Sequence, residues 1–484
     1  MSEFSSCLND IKEERGITSA LIAQVMEVDV SVIYRWVKGE RLPNSYDKVK
    51  MLAEKLKLSH SERIRLKEAY EISSIGEVKY KSFKKIEEFI NVLQKRKAEY
   101  EIYSSSQAFM GIHQYRELPD EVILNNNLEI LQCIQNVLDY MQIQKNKHIY
   151  IKLQKNMSEI SMMIKMFLSK VQGAYIEQIV SVPDDINDLS LFYLDMLKNA
   201  TDIIAQKNDV RVYYGDKKRH MMGTTGNCIF SEDFLIQFDD EMSYGMITTD
   251  KTAIEFEKNN YNIFKESCFV LYNKSENPME YVERNIDRVC AKVYGIEYMP
   301  CMGLVIPEDV LQECLYEFPE KQQFIQIMKN SFDLVMSSAN EQDKIMQAKT
   351  YFDKKGLIKF MESGRFEVFP YDIYHTVSVE ARCKVLKNAI RVMKSGIVEQ
   401  NMFKEDYGIN VEGIHIEYEE NEKKLYIETH FDKKTSEVLE IEEEHLCGNF
   451  KDYFEYLNKC DKVYSVEETV EYMEEILAQY EQSI

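Results

Sequence analysis

The sequence predicts an α+β chain of several domains: an all-α N-terminal unit of five helices, a helical connector, then a mixed helix and strand effector region. Three observations carry that expectation. Apolar residues recur at three- and four-residue spacing through much of residues 5–206, the spacing of one helix face. From about residue 210, short β-rich runs bounded by Gly, Asn and Asp take over. At roughly 150 residues per domain, a length of 484 amounts to about three domains. The divisions expected are 1–72, 73–206, 207–362 and 363–484.

Taken in order, Leu8, Ile11 and Lys12 open an amphipathic helix that ends at Gly16, a residue suited to the left-handed position after a helix. Thr18 caps a second helix with apolar positions Leu21, Ile22 and Val25. After a turn over 27–29, Asp29 caps a third, which carries Ile33, Trp36 and Val37 and closes at Gly39. Val49, Leu52, Ala53 and Leu56 share one face of a fourth, and Ser59-x-x-Glu62 is the capping box of a fifth. Phe83, Ile86, Phe89, Ile90 and Leu93 make 82–97 a connector helix, which serves as a dimer contact or lever in one reading and simply docks on its neighbour in the other. Helical spacing continues over 120–206, as Leu131, Ile134, Leu138 and Met141 illustrate. Strands are expected at 210–214, 228–230, 234–238, 268–272, 366–369, 414–418 and 425–429, with helix over 278–362 and an acidic helix from Val466 behind the Ser465-x-x-Glu468 box. Alternation in 414–418 and 425–429 argues a hairpin with one wet face. No repeat with a period of about 20–50 residues is visible, which disfavours a solenoid.

Charge is divided unevenly. The whole chain carries 60 Lys and Arg against 82 Asp and Glu, a net of −22, which argues against a nucleic-acid coat or a polybasic membrane binder. Residues 1–97 hold 19 basic against 15 acidic residues, a net of +4, so −26 falls on the remainder. No apolar run approaches the roughly 18 residues of a transmembrane helix, the start lacks a secretory pattern, and ten scattered cysteines read as reduced thiols. A cytoplasmic protein is expected, with no disulfide framework and no metal site.

The strongest motif is TSALIAQVMEVDVSVIYRWVKGERLP, residues 18–43. Ala23 is small where two helices cross, Val28 and Ile33 fill the space beneath, and Gly39 permits the turn after the second helix. With Ser31, Arg35-Trp36 and the Arg41-Leu42-Pro43 exit, this stretch resembles the helix-turn-helix of the phage repressor and Cro family, the xenobiotic-response-element type of transcription regulator. The resemblance covers about residues 5–70. It departs from the family at Ser19, where glutamine is usual, at Glu27, where glycine is common, and at Val37-Lys38, where Glu-Asn is frequent. By position it implies that Val30, Ser31, Tyr34 and Arg35 meet base edges in the major groove and that Ser19, Lys38 and Arg41 meet phosphates. Arg35 suits a guanine, Ser31 any base, and Val30 a thymine methyl. Trp36 is expected to pack inside rather than stack on DNA.

The resemblance implies double-stranded DNA as partner and a homodimer on two half-sites, with the dimer contact outside residues 1–72. The acidic remainder would be repelled by the duplex and serve as a platform for an unknown small-molecule or protein effector, with no cofactor and no membrane. No phosphate loop, dinucleotide fingerprint, zinc-protease or serine-hydrolase motif is present. Gly223-Thr224-Thr225-Gly226 reads as a turn, Lys217-Lys218-Arg219-His220 as a solvated loop, and His375 and His445 as lone histidines. A sequence-specific, non-enzymatic regulator is therefore expected. The alternatives are an enzyme or a protein-interaction adaptor that uses the helical domain for targeting.

Overall fold

Four of the first five helices begin at a side chain that caps them, Ser2, Thr18, Asp29 and Ser59. A computed structural model describes residues 2–103, 118–154, 157–171, 173–182, 189–204, 208–216, 226–275, 292–318, 321–341, 347–366, 373–405, 407–429 and 437–482. These form two units, one of residues 1–88 and 452–463, the other of residues 89–451 and 464–484.

In the first unit, helices α1 (Glu3–Arg15), α2 (Ser19–Met26), α3 (Val30–Lys38), α4 (Tyr46–Lys55) and α5 (His60–Ile75) match the five expected. Thr18 accepts from the Leu21 amide, Asp29 from the Ser31 amide, and Ser59 and Glu62 close a capping box. Gly16 and Gly39 both adopt the left-handed conformation that ends α1 and α3. Phe4, Leu8, Ile11, Ile22, Ile33, Leu52 and Leu66 are fully buried in one core, with Trp36 at 3% exposure. Helix α6 (Glu77–Tyr103) starts in this unit. A distant stretch, 452–463, completes it: Phe83 stacks on Tyr456 at 5.0 Å, the Tyr456 hydroxyl donates to Glu71 at 3.2 Å, and Lys462 pairs with Glu87.

Among the described residues, the second unit is built on one sheet of fourteen strands. They are β1 (Glu121–Leu124), β2 (His148–Leu153), β3 (Tyr175–Val182), β4 (Asp209–Asp216), β5 (Asn227–Phe230), β6 (Leu235–Phe238), β7 (Gly245–Thr248), β8 (Phe269–Ser275), β9 (Lys292–Glu297), β10 (Gln347–Phe352), β11 (Val398–Met402), β12 (Ile414–Glu419), β13 (Lys424–Thr429) and β14 (Glu437–Ile441). Helices α7 (Asn127–Ile143), α8 (Ser158–Lys170) and α9 (Leu189–Ile204) alternate with β2, β3 and β4, and α10 (Lys251–Lys265) precedes β8. Helices α11 (Glu308–Cys314) and α12 (Lys321–Glu341) connect β9 to β10. Helices α13 (Lys354–Ser363) and α14 (Val379–Ser395) connect β10 to β11. Helices α15 (Glu444–Leu457) and α16 (Val466–Glu481) end the chain, α16 behind the expected Ser465–Glu468 capping box.

Across the sheet the order is β1-β7-β6-β5-β2-β3-β4-β8-β14-β13-β12-β9-β10-β11. It contains the same six-stranded pattern twice. In β7-β6-β5-β2-β3-β4 three parallel strands are flanked by an antiparallel meander, and β14-β13-β12-β9-β10-β11 repeats every pairing and direction. β8 pairs antiparallel with both β4 and β14 and so joins the two modules. The copies run from His148 to Thr248 and from Lys292 to Ile441, far beyond a short tandem repeat.

Several expectations are corrected. Residues 120–206 and 278–362 are not helical throughout, since they hold β1, β2, β3, β9 and β10. Long-range pairing, which local spacing does not report, decided those short segments. The hairpin β12–β13 forms as expected, but its polar face is not wet: Glu428 and Glu419 are 2% and 6% exposed. The expected strand at 366–369 lies outside the described residues apart from Phe366, as do 217–220 and 223–225.

Candidate nucleic-acid interface

Helix α3 is short, and its two faces have opposite chemistry. Ile33 and Trp36 point into the core at 0% and 3% exposure, which fixes the roll of the helix. Val30, Ser31, Tyr34, Arg35 and Lys38 are all exposed on the other side. Helix α1 fastens the C-terminal end: the Ser5 hydroxyl donates to the Val37 carbonyl at 2.5 Å and the Asn9 amide donates to it at 3.0 Å. At Gly39 a side chain would meet the Ser2 backbone nitrogen at 3.2 Å, and φ is +73°, so position 39 needs glycine on both counts.

The turn between α2 and α3 is tight because Glu27 takes the left-handed conformation, φ 57° and ψ 41°, and Val28 donates to the Ala23 carbonyl at 3.0 Å. A non-glycine residue bears strain there. Val28 packs against the core as a plug, Ala23 is 2% exposed at the helix crossing, and Val37 is partly buried against the same core. At the start of α3, hydrogen bonds from Ser31 hold the Asp29 carboxyl below the usual carboxylate range, with the nearby Arg35 charge acting in the same direction.

Six of the seven residues assigned to DNA by position lie at the surface: Val30, Ser31, Tyr34 and Arg35 on α3, Lys38 at its end, and Arg41 in the exit. Val30 and Tyr34 are large apolar or aromatic groups with 38% and 53% exposure. Arg35 donates from Nε to the Ser31 carbonyl one turn back at 3.3 Å, which orients the guanidinium. Lys38 stands 4.0 Å from Glu40, an exposed pair of little energetic weight. Ser19 is the exception. It is buried, at 8% exposure, because the first position of α2 turns toward the bundle while Thr18 occupies the exposed cap.

Sequence reading passed over a second constellation in the other unit. His415 on β12 stands directly opposite Glu297 on β9 and opposite Glu428 on β13. Its imidazole lies 3.5 Å from Glu428 and 3.6 Å from Glu417. Burial alone would lower the imidazole pKa, but the Glu428 hydrogen bond and the charges of Glu428, Glu297 and Glu417 outweigh it and raise it to about 9. Burial pushes the Glu297 carboxyl up to about 7 against the opposing pull of His415. The only sequence signal was a histidine inside an alternating strand, and alternation does not say what covers each face. His375 and His445, noted as lone histidines, make a contact to the Thr376 carbonyl and a hydrogen bond with Glu443 respectively.

No family model matches this chain, and no curated protein matches it either. Among solved structures it is similar to polyphosphate kinase from Porphyromonas gingivalis, at 9% identity over 79% of this chain and 58% of that one, TM-score 0.23. It is also similar to phosphatidylserine synthase from Haemophilus influenzae Rd KW20, at 9% identity over 80% and 97%, TM-score 0.23. A third is TrmBL2, an archaeal chromatin protein described as showing a novel mode of DNA binding, at 11% identity over 52% and 88%, TM-score 0.22. This chain spans little more than half the length of the kinase. Superpositions this loose carry no functional argument.

Proposed function

We propose that the N-terminal unit binds double-stranded DNA with sequence preference, and that the chain is a dimeric, non-enzymatic transcription regulator whose acidic second unit receives a ligand or partner. The observation that carries this reading is the exposed face of α3, where Val30, Ser31, Tyr34 and Arg35 stand together on a helix whose opposite side is locked in a core. A helix presented in this way fits the major groove, and its N-terminal side chains reach base edges. The resemblance of residues 18–43 to repressor and Cro proteins supports the same assignment.

Charge supports a dimer. A net of +4 over residues 1–97 supplies few phosphate contacts, and the −26 elsewhere opposes them. Two copies on half-sites one helical turn apart double the favourable part.

Selection of bound DNA from a random pool by the full chain is the test. Enrichment of a palindrome is expected, with Arg35→Ala losing preference at one position and about 1–3 kcal/mol of affinity. Lys38→Ala should weaken all sequences alike and lower the salt slope by about one. No enrichment, or two variants that bind as the parent does, would remove the assignment. Light scattering checks the dimer: a monomer that nevertheless binds a single palindrome tightly contradicts it.

A further inference from the structure

The two ends of the fourteen-stranded sheet are finished differently. At β11 the outer edge is closed by the chain's own C-terminal stretch. The Tyr464 amide donates to the Met402 carbonyl at 2.8 Å, the Met402 amide donates to the Thr469 hydroxyl at 3.1 Å, and the Asn401 side chain donates to the Tyr464 carbonyl at 2.8 Å. At β1, among the described residues, no strand pairs with the outer edge. That edge also lacks the usual devices against association: no Lys, no Pro and no bulge interrupts Glu121–Leu124. Val122 and Ile123 are instead 41% and 68% exposed, and Leu128, in the first turn of the following α7, is 65% exposed.

We propose that β1 of a second copy of this chain covers the edge, joining two sheets about a two-fold axis. This names the contact of the dimer proposed above and rests on that reading for its place in a regulator. The internal duplication shows that such an edge accepts a strand. β1 pairs with β7 as β8 pairs with β14, so β8 is the equivalent of β1 in the second module, and the other edge of β8 is taken by antiparallel β4. Repeating that joint between chains would set β1 against β11, the equivalent of β4, but the bonds to Tyr464 and Thr469 already occupy β11. The open edge left on a second copy is β1 itself. Two β1 edges joined about a two-fold leave only sealed β11 edges outward, so assembly stops at two chains.

Backbone parity fixes the register. The Thr249 amide donates to the Asp120 carbonyl at 3.0 Å, which makes 120 and 249 a hydrogen-bonded pair. By alternation Val122 and Leu124 direct their main-chain groups to β7, and those of Glu121 and Ile123 point away from it. The next amide, of Asn125, donates to the Glu129 carboxylate at 2.8 Å, so the open edge ends there. Both sets of outward groups find partners when Glu121 faces the partner subunit's Ile123 and Val122 lies on the axis. The acidic side chains are then not directly opposed.

The experiment is sedimentation equilibrium of the full chain, without DNA, at about 0.15 M salt, where long-range repulsion between acidic chains is screened. The parent is expected to be a dimer. Ile123→Pro removes an outward amide that an edge strand can spare, and Val122→Glu sets like charges against each other on the axis. Each should raise the dimer dissociation constant about tenfold or more while the circular dichroism spectrum stays that of the parent. Ile263→Asp, an equally exposed position on α10, should leave the constant unchanged. A dimer kept by the folded edge variants, or lost equally in Ile263→Asp, overturns the β1 contact and leaves the dimer itself standing. A monomeric parent overturns both. Should Ile123→Pro fail to fold, Val122→Glu decides by the same criterion. Failure to select DNA by a chain that dimerises through β1 would remove the regulator and leave this contact in place.

Discussion

On the face of the sheet where the first module carries Leu153, Asn227 and Phe238, the second carries Glu297, His415 and Glu428 at the matching registers. The first module instead places its charges on the opposite face, against α10. Lys152 meets Glu257 at 3.0 Å and Lys265 meets Glu177 at 2.8 Å. The matching strands of the second module turn Tyr294, Ile296, Ile416 and Tyr418 to that face, all buried. One pairing pattern thus tolerates opposite distributions of charge. Register and burial specify the module, and ionic content is free to differ between copies.

The comparison can be broken most forcefully in the first module. Glu257→Ala would leave Lys152, 11% exposed at its side chain, beside an empty position on α10, and a loss of about 3–5 kcal/mol is expected in urea unfolding followed by circular dichroism. A loss below 1 kcal/mol would mean that the pair is not structurally required.

In the second module the expected effect is a pH dependence. His415 has a folded-state pKa raised from 6.5 to about 9, so its contribution is fully present below pH 6.5 and is lost as pH rises through 9. Glu297, raised from 4.5 to about 7 by burial, acts in the same direction, because ionising it in place costs more than ionising it in the unfolded chain. Stability should fall by roughly 2 kcal/mol between pH 6.5 and 9. His415→Asn should flatten that slope, and a slope unchanged in the variant would place the titration elsewhere.

The smallest effect sharpens the contrast. Thr350→Val removes a buried hydroxyl that stands beside the Glu297 carboxyl and should cost about 1 kcal/mol in urea unfolding. A variant as stable as the parent would show that this hydroxyl contributes nothing net to the cluster.

These differences also explain which parts of the molecule could be read in the sequence. The helices of the first unit were legible because their information is local: Thr18, Asp29, Ser59, Gly16 and Gly39 mark their own boundaries, and Ile33 and Trp36 mark the inward face of α3. Of the seven residues assigned to DNA by position only Ser19 is buried, because side-chain exposure at the first position of a helix depends on how the bundle closes over it. β2, β9 and β10 were illegible because each has only six residues and owes its conformation to neighbours far away in the chain. The His415 cluster was illegible for a related reason. Its period of two showed a strand, whereas its burial depends on elements that the strand does not encode.

The attachment of residues 452–463 to the first unit bears on how the protein comes to exist. More than 360 residues separate Glu88 from Asp452. At about 5–20 residues per second, synthesis of that interval occupies roughly 20–70 s. Helices α1 to α5 have their own core and can close early, but Phe83, Glu87 and Glu71 must wait for Tyr456 and Lys462. A nascent chain therefore displays the surface of α3 on the ribosome long before the residues that fasten α5 and α6 have been made, and maturation is timed by the length of the intervening sheet.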